Sequence, residues 1–179
     1  MSVLVLMVGI PGSGKTTLRN NLDYNATVIS PDDFIGYTKD NPWTPKAAKD
    51  AWRKSDLLLK EALIRKDELI IFDATFVGSK KRSKYIGMAK KYDADVIAVY
   101  CKTPFEVALE RNNTRESSRK ISKFVMDSML GRLEPPVVDE GFKYILTFET
   151  DTYNLECIEE DFVSGLFSKA IKKIGGLNK

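Results

Sequence analysis

Near the N-terminus, Gly9-Ile10-Pro11-Gly12-Ser13-Gly14-Lys15-Thr16 carries glycines, a lysine and a hydroxyl at the spacing G-x-x-x-x-G-K-[ST]. Glycines at these positions let the backbone come close to an anion, so that successive N–H groups point at phosphate oxygens. Lys15 is placed to neutralise β- and γ-phosphates, and the Thr16 hydroxyl to ligate a bridging Mg²⁺. The predicted nucleotide grip is Gly9, Pro11, Gly12, Ser13, Gly14, Lys15, Thr16 and Thr17, with ATP and Mg²⁺ as the implied cofactors.

Three further groups could complete a site. Asp32 follows the apolar run Ala26 to Ile29 and could take the proton of a hydroxyl acceptor. Alternatively, Ser30 or Asp32 caps a short helix that starts near Asp33. Asp73 ends the run Leu69-Ile70-Ile71-Phe72, the position of an acid that holds Mg²⁺ directly or through water, or else of a turn residue. Arg111, Arg115 and Arg119 recur every four residues, so a helix would put their guanidinium groups on one face, as an anion lid or as a solvated basic face. The polar residues Asn112, Asn113, Thr114, Ser117 and Ser118 between them predict a mobile segment.

These groups need a scaffold, and short apolar runs alternating with helical patterns predict a parallel sheet covered by helices. Strands are expected at Val3 to Val8, Ala26 to Ile29, Leu69 to Phe72, Val96 to Tyr100 and Tyr144 to Phe148. Helices are expected at Gly14 to Leu22, from Thr44-Pro45, at Ser79 to Lys91, from a capping box at Thr103-Pro104-Phe105-Glu106, and from Ser122 to about Leu130. Ile158, Phe162, Leu166, Ala170 and Ile174 predict a closing helix that stops at Gly175-Gly176. The 179 residues read as one domain, 1–179, with a helical arginine lid near 111–131.

Composition narrows the chemistry. With no histidine, Ser-His and Cys-His nucleophile pairs and imidazole metal sites are excluded, leaving proton transfer to carboxylate, lysine or tyrosine. Cys101 and Cys157 are too few for a disulfide framework and are expected to be buried bystanders. The net charge of +3 does not by itself imply nucleic acid. The cluster Lys80-Lys81-Arg82-Ser83-Lys84 reads as a solvated helix face or a backbone-tracking patch, and Phe34, Tyr37 and Trp43 as stacking platforms or packing under a loop. The first apolar run is too short to span a bilayer, so a cytoplasmic protein with no membrane contact is expected.

Taken in order, Gly9 to Thr17, Ser30-Pro31-Asp32-Asp33-Phe34, Phe72-Asp73-Ala74-Thr75 and Arg111-Asn112-Asn113-Thr114-Arg115 resemble the kinase domain of phage-type polynucleotide 5′-kinases. These lie within the P-loop kinase group that includes zeta-toxin-like and seryl-tRNA kinases. The resemblance implies a three-layer α/β/α P-loop NTPase fold with a five-stranded parallel sheet of order 2-3-1-4-5. It also implies Asp32 as general base for a 5′-hydroxyl, Lys15 and Thr16 as the ATP·Mg²⁺ grip, and Arg111 with Arg115 as the lid. The expected activity is phosphoryl transfer from ATP to a DNA or RNA 5′-hydroxyl. The alternatives are a nucleoside, nucleotide or small-metabolite kinase and an ATP-dependent switch.

The chain departs from the family at Ile35, where the phage enzyme has an arginine that contacts a substrate phosphate; Tyr37 and Lys39 are the nearest substitutes. Ala74-Thr75-Phe76 replaces the usual Asp-Thr-Asn type. No Asp-x-Asp-Gly-Thr phosphatase motif occurs in these residues.

Overall fold

A computed structural model describes the chain except for residues 39, 41, 42, 158, 178 and 179. Lys39 and Ile158, both singled out in the sequence, lie outside the described residues. The element order is β1 (Val3–Val8), α1 (Lys15–Asn20), β2 (Thr27–Ile29), α2 (Pro45–Arg65), β3 (Leu69–Asp73), α3 (Ser79–Lys90), β4 (Asp95–Lys102), α4 (Phe105–Asn113), α5 (Lys123–Gly131), β5 (Tyr144–Glu149), β6 (Asn154–Cys157) and α6 (Phe162–Leu177). Short 3₁₀ turns at Pro31–Phe34, Ser117–Arg119 and Val138–Glu140 punctuate the connections. No described helix is long and apolar enough to cross a membrane.

The sheet order is β2-β3-β1-β4-β5-β6. The first five strands are parallel and in the expected order, but a sixth, antiparallel strand, β6, corrects the five-stranded expectation. It pairs Leu146 with Cys157 and Glu149 with Asn154. With only Leu155 and Cys157 apolar among four residues, β6 has no buried run, since an edge strand needs none. Cys157 is accordingly part-exposed, and of the two cysteines only Cys101 is buried.

Because β1 is covered on both faces, its side chains divide between two cores. Leu4, Leu6 and Val8 pack with Leu59 and Leu63 of α2 and Tyr85 and Ala89 of α3. Val5 and Met7 pack with Leu18 of α1 and Phe167 and Ile171 of α6. A continuous apolar run is what a strand buried on both sides requires. Helix α2 starts as its sequence implies: the Thr44 hydroxyl accepts from the Ala47 N–H at 3.0 Å, with Pro45 in the first turn. Helix α6 runs through Gly175-Gly176 to Leu177, beyond the predicted stop.

Two residues in the α3 region take roles that the sequence pattern did not show. Phe76, at φ +44°, is fully buried in an aromatic cluster with Trp52, Phe72 and Tyr85, with centroids 4.8 to 6.2 Å apart, so it is a core residue. Arg82, inside the basic cluster, is also fully buried and not a solvated cation. Its guanidinium makes a bidentate pair with Glu140 at 2.7 and 2.6 Å and donates to the carbonyls of Phe76 and Glu134, both at 2.8 Å. One side chain thus ties the end of β3 to the segment that returns from α5 to β5.

Removing one partner of such a buried pair leaves the other charge without compensation. Arg82→Ala should lower the unfolding free energy by about 3–5 kcal/mol, read from urea denaturation, whereas truncating the half-exposed Lys84 should change it far less.

Candidate active site

The loop between β1 and α1 is shaped by three glycines with positive φ: Gly9 at +149°, Gly12 at +82° and Gly14 at +86°. At Gly12 a Cβ would lie 2.2 Å from the Ala108 carbonyl oxygen, so helix α4 presses directly on the loop. At Gly9 a Cβ would lie 2.8 Å from the Cys101 carbonyl. The Gly9 N–H also donates to the Thr75 carbonyl at 3.0 Å. The loop is therefore clamped from both β3 and β4, and substitution is strained at each point.

Lys15 folds back over this loop. Its ammonium donates to the Gly9 carbonyl at 2.8 Å, the Ile10 carbonyl at 2.9 Å and the Ser13 hydroxyl at 3.2 Å. Burial pushes its pKa below the ordinary lysine value; the negative charge of Asp73 opposes this most strongly. The charge of Asp32 also acts to keep Lys15 protonated, and that of Arg115 acts against it. Pro11 and Ser13 are buried in the loop wall, and Thr17 is exposed, its carbonyl accepting from the Asn21 amide at 2.9 Å.

Asp73 stands at the carboxyl end of β3, opposite Met7 of β1, and is only 5% exposed. The Thr16 hydroxyl donates to its Oδ2 at 2.9 Å. Arg19 Nε lies 2.9 Å from the same oxygen as an ion pair, without directing a hydrogen bond at it. Thr16 and Asp73 together offer two hard oxygens side by side, a donor set that fits Mg²⁺ when phosphate oxygens and water complete the octahedron. Among the described residues no three carboxylates or thiolates gather as a candidate metal cluster.

Asp32 is exposed on the Pro31–Phe34 turn, beyond the carboxyl end of β2. Neither expected cap is formed: Ser30 occupies the N-cap position but makes no side-chain capping bond, and Asp32 Oδ1 instead accepts from the Tyr37 hydroxyl at 2.8 Å. Ile35 is buried and offers nothing to a ligand. Of the aromatic residues nearby, Phe34 lies under Lys54 of α2, 5.7 Å from ring centroid to ammonium, while Trp43 is exposed.

The arginine segment differs from a single continuous helix. Helix α4 ends at Asn113, so Arg111 is helical, Arg115 is in the following turn and Arg119 is in a 3₁₀ turn. Arg111 leans back over the loop near Gly14 and donates to the Thr150 hydroxyl and carbonyl, each at 3.2 Å. Asn112, expected in a mobile stretch, is buried and acts as a clasp: its amide donates to the Ile121 carbonyl at 2.7 Å and accepts from the Ile121 N–H at 3.1 Å. Under this clasp Ile10, Ala108 and Met126 form a small core that joins the phosphate loop to α4 and α5.

Thr103 and Thr150 were missed as site residues. The predicted capping box at Thr103 is absent, because its hydroxyl is engaged elsewhere, donating to the Ser13 carbonyl at 3.3 Å and sharing a hydrogen bond with the Thr150 hydroxyl at 2.5 Å. The chain Ser13–Thr103–Thr150–Arg111 thus links the loop to the arginine segment. The available signal was position: both threonines directly follow strands, at the sheet edge where ligands of open α/β folds bind.

Residues 4–136 match the AAA_33 family, described as an AAA domain. The chain is 28% identical over 147 residues to an L-seryl-tRNA(Sec) kinase of Methanococcus maripaludis, covering 79% of this chain and 55% of that protein. It is 22% identical over 144 residues to a bifunctional polynucleotide phosphatase/kinase of Schizosaccharomyces pombe, covering 78% of this chain and 31% of that protein. The chain therefore spans about half, or less, of the length of these curated relatives. A proposed kinase of Chloroflexus aurantiacus shares the fold at TM-score 0.68 and 17% identity, over 99% of this chain and 96% of that one. With its glycine loop, its parallel sheet and a family match over most of its length, the chain belongs to the AAA_33 family of P-loop kinases.

Proposed function

We propose that this chain transfers the γ-phosphate of ATP to a hydroxyl carried by a nucleic acid, the 5′-hydroxyl of a DNA or RNA end. The observation that carries the reading is that one edge of the sheet, at the carboxyl ends of the parallel strands β2, β3 and β1, bears the exposed carboxylate of Asp32, the Asp73 carboxylate bonded to Thr16, and the phosphate loop with Arg111 beside Gly14. A switch protein needs the loop and the metal acid; an exposed carboxylate on the acceptor side is the additional feature a transferase uses.

In this mechanism the amides of Gly12, Gly14, Lys15, Thr16 and Thr17, in a loop shaped by Gly9, Pro11 and Ser13, hold the β- and γ-phosphates. Lys15 exchanges its three loop partners for phosphate oxygens, so its charge is already stored at the place of use. Thr16 and Asp73 would hold the Mg²⁺, which would supply charge neutralisation at the phosphates. Asp32 accepts the proton of the attacking hydroxyl as the bond to phosphorus forms, while Arg111 and Arg115 stabilise the charge spread over the transferring group. Arg111 is held ready by Thr150, and that seat is itself tied to the loop through Thr103.

A nucleic-acid acceptor is supported by two features. The seryl-tRNA kinase and the polynucleotide phosphatase/kinase that the chain resembles each carry a nucleic acid in their names. Between α2 and α3 lies a groove of about 840 Å³ where Lys46, Lys49, Arg53, Lys81 and Lys84 outnumber Asp50 and Asp56, with Trp52 among them. Helix α2 also carries Lys54, which covers Phe34 of the acceptor-side turn, so a polymer with its end at Asp32 could lay its backbone along this helix. Burial, and secondarily the neighbouring Lys84, push Lys81 down to about 8, with its ammonium over the Trp52 ring.

Labelled ATP·Mg²⁺ offered to 5′-hydroxyl DNA, 5′-hydroxyl RNA, nucleosides and no acceptor should label the polymer ends; label confined to nucleosides would replace this reading with a small-molecule kinase. Asp32→Asn should lose about 10²–10⁴-fold in kcat while ATP binding persists, and Lys15→Ala should lose both. A Lys46→Glu/Lys49→Glu double variant should raise KM for an oligonucleotide about 10-fold and flatten its salt dependence, leaving nucleoside transfer unchanged. Lys81 loses its proton as pH rises through about 8, so oligonucleotide affinity should be lower at pH 9 than at pH 7, measured by fluorescence anisotropy.

A further inference from the structure

Between the candidate base and the arginine segment stands Tyr37. Its hydroxyl donates to Asp32 Oδ1 at 2.8 Å, and the Arg119 guanidinium lies over its ring, 5.3 Å from the centroid. Its backbone φ of +50° is one that a bulky L-residue adopts only where the surroundings hold it. Two residues earlier, buried Ile35 anchors the chain, and the left-handed turn at Tyr37 then brings the ring back toward the Pro31–Phe34 turn. The aromatic residue expected to stack on a base or fill space under the loop is committed to a hydrogen bond with a carboxylate.

Asp32 needs such a partner. It is exposed on a short 3₁₀ turn, where a carboxylate without support would sample several rotamers. Binding Oδ1 fixes the plane of the carboxylate and leaves Oδ2 free to accept from the attacking hydroxyl. Burial first, then the charge of Asp32 and its hydrogen bond, raise the Tyr37 hydroxyl above the ordinary phenol range, so it stays a donor and does not compete as the base. Arg119, which lies over the ring, and Arg115 act in the opposite sense.

Arg119 also separates from the other two arginines. Arg111 is seated on Thr150, and Arg115 lies within electrostatic reach of Lys15. Arg119, near the far end of the loop that Asn112 closes onto Ile121, has Tyr37 as its aromatic contact. We propose that Tyr37 is a positioning residue that orients Asp32 toward the acceptor, and that Arg119 holds Tyr37 in place, so that seating of the arginine loop and orientation of the base are one event. The inference rests on the reading of Asp32 as the base.

The test is steady-state transfer from labelled ATP·Mg²⁺ to a 5′-hydroxyl oligodeoxynucleotide and to thymidine, using wild type, Tyr37→Phe, Arg119→Ala, the double variant and Asp32→Asn. Tyr37→Phe should lower kcat about 10-fold with KM for ATP unchanged and the thermal midpoint preserved, a split that loss of structure would not produce. Arg119→Ala should lower kcat alone but add less than about twofold in the Tyr37→Phe background, because both act through one hydrogen bond.

An unchanged or raised kcat in Tyr37→Phe would overturn the proposal, as would a double variant whose losses multiply. Full activity in Asp32→Asn would remove the base reading itself, whereas an inactive Asp32→Asn beside a fully active Tyr37→Phe would remove only the role of Tyr37. A crystal structure of Tyr37→Phe supplies a readout independent of the acceptor: Asp32 should leave its rotamer or populate several, and an unmoved Asp32 would count decisively against the proposal.

Discussion

A buried ammonium with three oxygen partners, two of them carbonyls of its own loop, sets the conditions for the rest of the site. Lys15 is satisfied by Gly9, Ile10 and Ser13, and this is possible only because the loop curls around it with three glycines at positive φ. That curl brings Gly12 so close to Ala108 that no side chain fits between them. The position of α4, and through it of Arg111, follows from the path of the loop. The wall on the other side is the sheet itself, since Gly9 is bonded to Thr75 beyond β3 and faces the Cys101 carbonyl of β4.

Much of this was legible because it lies in the backbone path and in residues whose types have few uses. A complete phosphate-loop motif after an apolar run fixes a strand, a turn and a helix start at once, and β1 is found where that run begins and ends. The order of the first five strands follows from the family resemblance, and the register that places Asp73 beside Met7 agrees with its position at a strand end. Thr44 and Ser122 cap α2 and α5 as their sequences imply, through Ala47 and Val125.

What was not legible depends on side chains meeting across long stretches of sequence. Arg82 belongs to a run of cations that reads as surface, and only the arrival of Glu140 and two carbonyls makes it a core residue. Thr103 has the local sequence of a helix cap, but the carbonyl of Ser13 and the hydroxyl of Thr150, 90 and 47 residues away, take its hydroxyl instead. Asn112 sits in a polar stretch of loop character, and its burial follows from a backbone return at Ile121 that local pattern does not encode. The missed strand β6 is the same problem in the sheet: its pairing with β5 needs backbone groups, which every sequence has.

The clasp between Asn112 and Ile121 has an implication for how such a segment changes over evolutionary time. With both ends fastened by one amide, the residues from Asn113 to Lys120 form a closed insert whose internal composition carries little responsibility for the entropy of closing it. Substitutions inside the insert would reach Arg115 and Arg119 while leaving the junction with the core intact. Such a cassette would let the eight residues from Asn113 to Lys120 vary as a unit, without rebuilding the small core of Ile10, Ala108 and Met126 beneath them.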